Sequence, residues 1–152
     1  MSLVAHYPDR KELVSAMIEL ALEELTHFQQ VNDLIATRGL TLAPDTKDGY
    51  VAEMRKLARG GTNEYLLDRL LIAGAIEARG CERFGLLAEH LPESDLKNFY
   101  LDITRSEARH HGLFVRIARH YFDTKVIEKR LEEILSAEAV IVAGLPLRAA
   151  VH

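Results

Sequence analysis

Five acidic and imidazole side chains fall on the apolar faces of three predicted helices. Glu24 and His27 are spaced as Glu-x-x-His, Glu107 and His110 repeat that spacing, and Glu77 is a single acid on the segment between the two motifs. A separation of three residues places both side chains of a motif on one face of a helix, about one turn apart. Because buried carboxylates are normally paired or bound to metal, the set predicts a metal site.

The hydrophobic repeat predicts where these side chains point. Apolar residues recur at alternating steps of four and three in each segment, and the repeat keeps its phase on both sides of the polar residues. The three series are Leu13, Met17, Leu20, Glu24, His27, Val31, Leu34; Leu66, Leu70, Ala73, Glu77, Gly80, Phe84, Leu87; and Leu96, Tyr100, Ile103, Glu107, His110, Phe114, Ile117, Tyr121. We therefore expect all five polar side chains to point into a dry core.

The ligand types narrow the choice of metal. Two Glu-x-x-His motifs combined with further glutamates are the pattern of carboxylate-bridged dinuclear sites in helical bundles. Oxygen and nitrogen ligands without a thiolate favour iron or manganese over structural zinc. Singly, each histidine would more often be a hydrogen-bonded core residue. Three nearby acids fall outside the repeat, and His111 is rotated away from His110, so His111 is expected at the surface or in support of a ligand. The three acids are Glu19, Glu23 and Glu82.

Helix signals place these motifs in an all-α bundle. An Asp9–Glu12 capping box begins a helix that continues to about residue 38, and a loop over 39–49 precedes a short helix over 50–59. Thr62 is the predicted N-cap of a helix to about residue 88, Ser94 caps one to residue 121, and Asp123 caps a last helix to about residue 143. An extended tail to residue 152 is expected. Strand alternation is not seen, and a single domain over 1–152 is predicted.

Composition limits the classes of protein. The 152 residues are 48% hydrophobic and 28% charged, with a net charge of −4 and one cysteine, Cys81, which is expected to be a small buried thiol. An intramolecular disulfide needs two cysteines, so this chain cannot form one, and that agrees with a cytoplasmic location. Neither a signal peptide nor a membrane span is predicted. A nucleic acid would have to bind a local basic patch. Candidate phosphate contacts are Arg55, Arg59, Arg79, Arg83, Arg105, Arg109, Arg116 and Arg119.

Three segments carry a specific resemblance that extends over nearly the whole chain. They are 76–84 (IEARGCERF), 23–28 (EELTHF) and 106–111 (SEARHH). They resemble the tRNA hydroxylases that act on 2-methylthio-isopentenyl-adenosine. The resemblance implies a ferritin-like bundle, a non-haem site with two iron ions, dioxygen as co-substrate, an external electron donor and a tRNA substrate. It also implies that Glu24 and Glu107 bridge the metals, that His27 and His110 each bind one iron, and that Glu77 is a terminal ligand.

The chain differs from the family pattern in one respect, and alternative functions stay open. The family has an earlier helix with another glutamate ligand, and residues 1–7 match only the end of that helix. We therefore expect a chain that is N-terminally short relative to the family, with an uncovered apolar groove that favours a homodimer or domain exchange. The source of the fourth carboxylate stays open. The alternatives are a ferritin-like protein for iron storage or peroxide handling, and a metal-free helical interaction module.

Overall fold

The computed structural model describes residues 2–44 and 46–146, and those residues form six α-helices without a strand. The helices are α1 (Ser2–His6), α2 (Lys11–Ala36), α3 (Gly49–Lys56), α4 (Thr62–His90), α5 (Asp95–Tyr121) and α6 (Thr124–Gly144). The predicted all-α class is confirmed. None of the helices in the described ranges combines the length and apolar character needed to cross a bilayer. The predicted tail beyond residue 146 lies outside the described residues.

The chain divides into two compact units, Met1–Thr46 and Lys47–His152. In the first unit, α1 packs against α2. The backbone N–H of Tyr7 donates to the carbonyl of Leu3 at 3.0 Å, and both side chains are buried. Leu13 and Met17 are buried on the first half of α2. That the whole chain forms a single domain stays a prediction.

The second unit is built around a pair of long helices. The turn over 91–94 joins α4 to α5, and this short connection makes them antiparallel neighbours that pack along much of their length. Helix α6 packs on α4 and α5, and α3 packs on α4 and α6. Leu66 and Leu70 of α4, Ile103 and Phe114 of α5, and Ile134 of α6 are buried, so apolar burial holds this unit together.

Two predicted helix starts are confirmed by their caps. The hydroxyl oxygen of Ser94 accepts the backbone N–H of Lys97 at 3.3 Å, and the carboxylate of Asp123 accepts that of Lys125 at 2.9 Å. Each cap provides an acceptor for an N–H group of the first turn, which has no acceptor within the helix.

Other predicted boundaries are wrong. The N-cap of α2 is Arg10, without a side-chain capping bond, so the Asp9–Glu12 capping box does not form, and α2 ends at Ala36. The N-cap of α4 is Gly61 rather than Thr62, because the backbone there has a φ of 92°, which glycine adopts without a steric cost. Helix α3 is shorter than predicted and is capped by Asp48, whose carboxylate accepts the N–H of Val51 at 3.1 Å.

A buried acid anchors the start of α4. Asp68 is fully buried, and its carboxylate accepts hydrogen bonds of 2.8 to 3.0 Å from the guanidinium groups of Arg59 and Arg130. It also accepts the backbone N–H of Arg59 at 2.8 Å, while Arg130 donates to the carbonyl of Leu57 at 2.7 Å. Burial alone would raise the pKa of Asp68, but these hydrogen bonds outweigh burial and hold it below its usual value. The network joins α4, α6 and the segment after α3.

A second buried acid joins three helices. Glu138 of α6 accepts the phenolic hydroxyl of Tyr50 in α3 at 2.8 Å and the Nε–H of Arg79 in α4 at 3.0 Å. Burial, followed by the hydrogen bond to Glu138, raises the pKa of Tyr50 above its usual value. Because Glu138 is buried and charged, its partners must remain in place for the fold to tolerate it.

Candidate metal centre

Three of the predicted ligands come together on α4 and α5. Glu77 projects from α4, and Glu107 and His110 project from α5. One ligand atom from each of the three lies within 4.8 Å of the other two. The Nδ1 atom of His110 is 3.9 Å from the nearer carboxylate oxygen of Glu77. His110 is 2% exposed and Glu107 8%, so this part of the site is buried as the hydrophobic repeat predicts.

The sequence positions these groups through the apolar face of α5. Ile103, Phe114 and Ile117 lie on the same repeat as Glu107 and His110, and all five residues are buried. Burial of the apolar residues on both sides of the polar pair therefore carries the polar pair into the interior. Glu107 and His110 lie near the middle of α5, away from its capped ends.

Glycines bring α4 close to α5 at the site. A Cβ atom added at Gly80 would lie 3.6 Å from a carboxylate oxygen of Glu107, and one at Gly74 would lie 3.5 Å from Cβ of Phe114. Glycine inside a helix costs about 1 kcal/mol relative to alanine. The two glycines offset this cost by letting α4 and α5 approach closely. At Gly80 the close approach brings the backbone of α4 beside the Glu107 carboxylate.

A hydroxyl group lies on the other side of the His110 ring. The Oγ atom of Ser106, which is 2% exposed, is 3.4 Å from Nε2 of His110. Arg109 donates from Nη2 to the same oxygen at 3.1 Å. The two nitrogens of the ring therefore face different groups, with Nδ1 toward Glu77 and Nε2 toward Ser106.

The remaining two predicted ligands lie together on α2. Nδ1 of His27 is 3.6 Å from a carboxylate oxygen of Glu24, and Nε2 is 3.9 Å from one of Glu23. The Glu24 side chain is 46% exposed, so the expected dry environment is wrong for this residue. Several apolar side chains of α2 from residue 18 onward are exposed as well, so this part of the helix presents little cover to Glu24. The exposed apolar residues are Ile18, Leu22, Leu25, Phe28 and Val31.

Groups near the three-residue cluster have other roles. Glu82, on α4, is mostly exposed and accepts a hydrogen bond from Arg79 at 2.8 Å, which agrees with leaving it out of the ligand set. His111 is partly buried, and its Nδ1 is 2.8 Å from the carbonyl of Gly74, so it supports the contact between α5 and α4. The Cys81 thiol, partly buried, donates to the carbonyl of Thr104 at 3.4 Å; burial first, and then the charge of Glu107, raises its pKa.

Several arginines expected as phosphate contacts interact with acidic or aromatic side chains of the protein. Arg59 is held by Asp68, and Arg79 by Glu138 and Glu82. Arg105 forms an exposed pair with Asp102 at 2.7 Å, and the guanidinium of Arg83 lies over the Tyr50 ring, 5.7 Å from its centre. Arg59 and Arg79 are therefore structural residues, because each guanidinium is bound to a buried carboxylate.

Sequence analysis missed three buried polar residues in the described part of the chain, Ser106, Asp68 and Glu138. Ser106 lies four residues before His110, a spacing that puts both side chains on one helix face, and that spacing could have identified it. Asp68 interrupts the apolar stretch 66–72, which is a signal for a paired buried acid. Its partner Arg130 is 62 positions away in the chain, and no local pattern connects the two.

The sequence model of one protein family matches residues 1–152, and its description is tRNA-(MS[2]IO[6]A)-hydroxylase (MiaE). The chain belongs to this family. The MiaE family is the one that the three sequence segments predict, so that prediction is confirmed.

Two relatives carry the name tRNA 2-(methylsulfanyl)-N(6)-isopentenyladenosine(37) hydroxylase. The one from Pseudomonas putida is 37% identical over 142 residues, which are 93% of this chain and 69% of that protein. The one from Salmonella typhimurium is 39% identical over 112 residues, which are 74% of this chain and 41% of that protein. The chain thus spans about two thirds of the length of the first relative and about two fifths of the second.

A solved structure is similar in its backbone. It is described as protein 43 with aldehyde deformylating oxygenase activity from Synechococcus, and it is 39% identical to this chain with a TM-score of 0.91. The similarity covers 97% of this chain and 73% of that one. The fold is ferritin-like, as predicted.

Proposed function

We propose that this chain is a di-iron monooxygenase that hydroxylates the isopentenyl group of a modified adenosine in tRNA. Membership of the MiaE family and the names of both relatives support the substrate and the reaction. The single observation that carries the chemistry is the buried cluster of Glu77, Glu107 and His110. A storage or peroxide-handling protein would share the cluster but not the family.

The residues of the cluster fit iron. Two carboxylates and one imidazole offer oxygen and nitrogen atoms, and the nearby thiol of Cys81 is engaged with a backbone carbonyl. This donor set suits iron or manganese. We propose that Glu77, Glu107 and His110, together with Glu24 and His27, would hold two iron ions. The proximity of Glu24 to His27 on α2 agrees with a Glu-x-x-His ligand pair.

When bound, iron supplies the activation of dioxygen that the hydroxylation of a C–H bond requires. One oxygen atom enters the C–H bond to give C–OH, and the other leaves as water with two protons and two electrons. Dioxygen takes up four electrons in this reaction. The substrate C–H bond supplies two of them, and an external electron-transfer partner must supply the other two. The buried side chains of Ile103, Phe114 and Ile117 limit the access of water to Glu107 and His110, which protects a reactive oxidant.

Two further features belong to this proposal. A tRNA substrate favours a cytoplasmic location, because tRNA is modified where it is made and used. A homodimer stays a prediction, and the exposed apolar side chains of α2 support it.

The proposal is tested by supplying the iron-loaded chain with hypomodified tRNA, a chemical reductant and isotopically labelled dioxygen. Digestion of the tRNA and mass spectrometry of the nucleosides should show one labelled oxygen atom in the isopentenyl group. Glu107→Gln should incorporate none, and Glu82→Gln should match the unaltered chain. Iron-loaded, folded protein that incorporates no labelled oxygen into this group contradicts the proposed function.

A further inference from the structure

The buried hydroxyl of Ser106 is the contact from which a further role can be assigned. Ser106 and His110 are four residues apart on α5, so their side chains share one face of the helix. Both are 2% exposed. A buried polar contact of this kind restricts the orientation of the imidazole ring, because both residues are shielded from bulk solvent.

The direction of the hydrogen bonds around Ser106 follows from the chemistry of its neighbours. A guanidinium group has only donors, so the oxygen of Ser106 accepts from Nη2 of Arg109 at 3.1 Å. A hydroxyl oxygen has a second lone pair, which can accept another N–H. Nε2 of His110 lies 3.4 Å from this oxygen and is positioned to donate to it.

The opposite nitrogen of the ring faces the acids. Nδ1 of His110 is 3.9 Å from Glu77, on the side where the ligand atoms converge. A neutral imidazole that binds metal through one nitrogen carries its proton on the other, and the hydrogen bond made by that proton sets the tautomer. A proton on Nε2 leaves the lone pair of Nδ1 directed at the metal position.

We propose that Ser106, held by Arg109, is a positioning residue that fixes the tautomer and the ring orientation of His110, so that Nδ1 is the atom that binds metal. This proposal rests on the metal site of the proposed function, but it does not depend on the tRNA substrate. The competing arrangement has the Ser106 hydroxyl donating to Nε2 and the ring proton on Nδ1, and it would leave Nδ1 without a lone pair for metal.

The test measures metal affinity by titration of the apo-protein with Co²⁺ and, without oxygen, with Fe²⁺, following the Co²⁺ absorption bands as a report of ligand geometry. Ser106→Ala should weaken binding about tenfold or more and alter the absorption bands, as the loss of a residue that orients a ligand does. Thr104→Val is the matched control, because Thr104 is on the same helix and donates its hydroxyl to the Tyr100 carbonyl at 2.7 Å. It should retain both the affinity and the spectrum.

Arg109→Ala keeps the proposal testable if Ser106→Ala does not fold, because Arg109 is exposed and its loss leaves the core intact. It should weaken binding less than Ser106→Ala, with a change in the same absorption bands. Unaltered affinity and spectrum in a folded Ser106→Ala variant would overturn the proposal while leaving the metal site standing. Failure of the unaltered chain to bind either ion would overturn the metal site, and this proposal with it.

Discussion

At the residue scale, the assignment of Glu77 can be separated from that of its neighbour Glu82. Both are on α4, but only Glu77 lies in the cluster with Glu107 and His110, while Glu82 is paired with Arg79 near the surface. The two residues therefore provide a matched comparison of the same chemical change on one helix.

We predict that Glu77→Gln lowers the amount of bound iron and abolishes hydroxylation, whereas Glu82→Gln changes neither. A neutral amide is a much weaker metal ligand than a carboxylate. Without metal, Glu77→Gln should unfold at the same temperature as the unaltered chain or a higher one, because a partly buried charge has been removed. Metal analysis and apo-protein melting temperatures measure both effects. Lower apo-protein stability would instead make Glu77 a structural hydrogen-bonding residue.

The residues of α5 could be predicted from the sequence, and the environment of Glu24 could not. A hydrophobic repeat specifies which side chains share a face of a helix, and on α5 that face is buried from Ile103 to Ile117. On α2 the repeat is equally regular, but beyond Met17 its members Leu20, His27 and Leu34 are only partly buried, and Glu24 and Val31 are exposed. The repeat does not determine whether another element covers the face, and burial depends on that cover.

At the scale of helices, α4 is fixed by charged groups as well as by apolar packing. We predict that Asp68→Asn lowers the free energy of unfolding by roughly 3 kcal/mol, because it leaves two guanidinium groups without their buried counter-charge. Chemical denaturation at neutral pH measures this loss. Asp102→Asn is the control, since the pair of Asp102 with Arg105 is exposed and contributes little.

The same variant has a predicted dependence on pH. The pKa of Asp68 is below its usual value in the folded state, so the charged network stabilises the fold at a pH above the unfolded pKa of about 3.9. That contribution is lost as the pH falls through the folded pKa. The difference in stability between Asp68→Asn and the unaltered chain should therefore shrink in acid. A difference that stays constant from neutral pH to pH values well below 4 would assign the effect to packing.

The contact between α3 and α6 gives a second prediction at this scale. Tyr50→Phe removes the hydrogen bond to Glu138 but keeps the aromatic ring, and it should lower the free energy of unfolding by about 1 kcal/mol. A double-mutant cycle with Glu138→Gln isolates the pair, because residues in direct contact are energetically coupled. Additive losses in that cycle would mean that the hydroxyl acts through another group. These contacts join residues 88 positions apart, which local sequence patterns do not encode.

For the whole molecule, metal and folding should be linked. We predict that Fe²⁺, under anaerobic conditions, raises the melting temperature, because a ligand that binds only the folded state stabilises it. The gain is about 2.7 kcal/mol when free metal is a hundredfold above its dissociation constant. His110→Ala should remove most of this gain, whereas His90→Ala, at the exposed end of α4, should keep it. An equal gain in both variants would place the bound metal elsewhere.

The contact between the Arg59 backbone and Asp68 has a consequence for hydrogen exchange. Arg59 lies in the connection between α3 and α4, next to Gly60 and Gly61, where amide protons ordinarily exchange within a short time. Its N–H is instead bonded to a carboxylate that is fully buried. Exchange at this position requires the bond to Asp68 to break, and we expect this to accompany the opening of α4 from α6, because Arg130 of α6 binds the same carboxylate. A single amide in a loop thus reports the opening of the packed helices, and Asp68→Asn should make it exchange as fast as its neighbours.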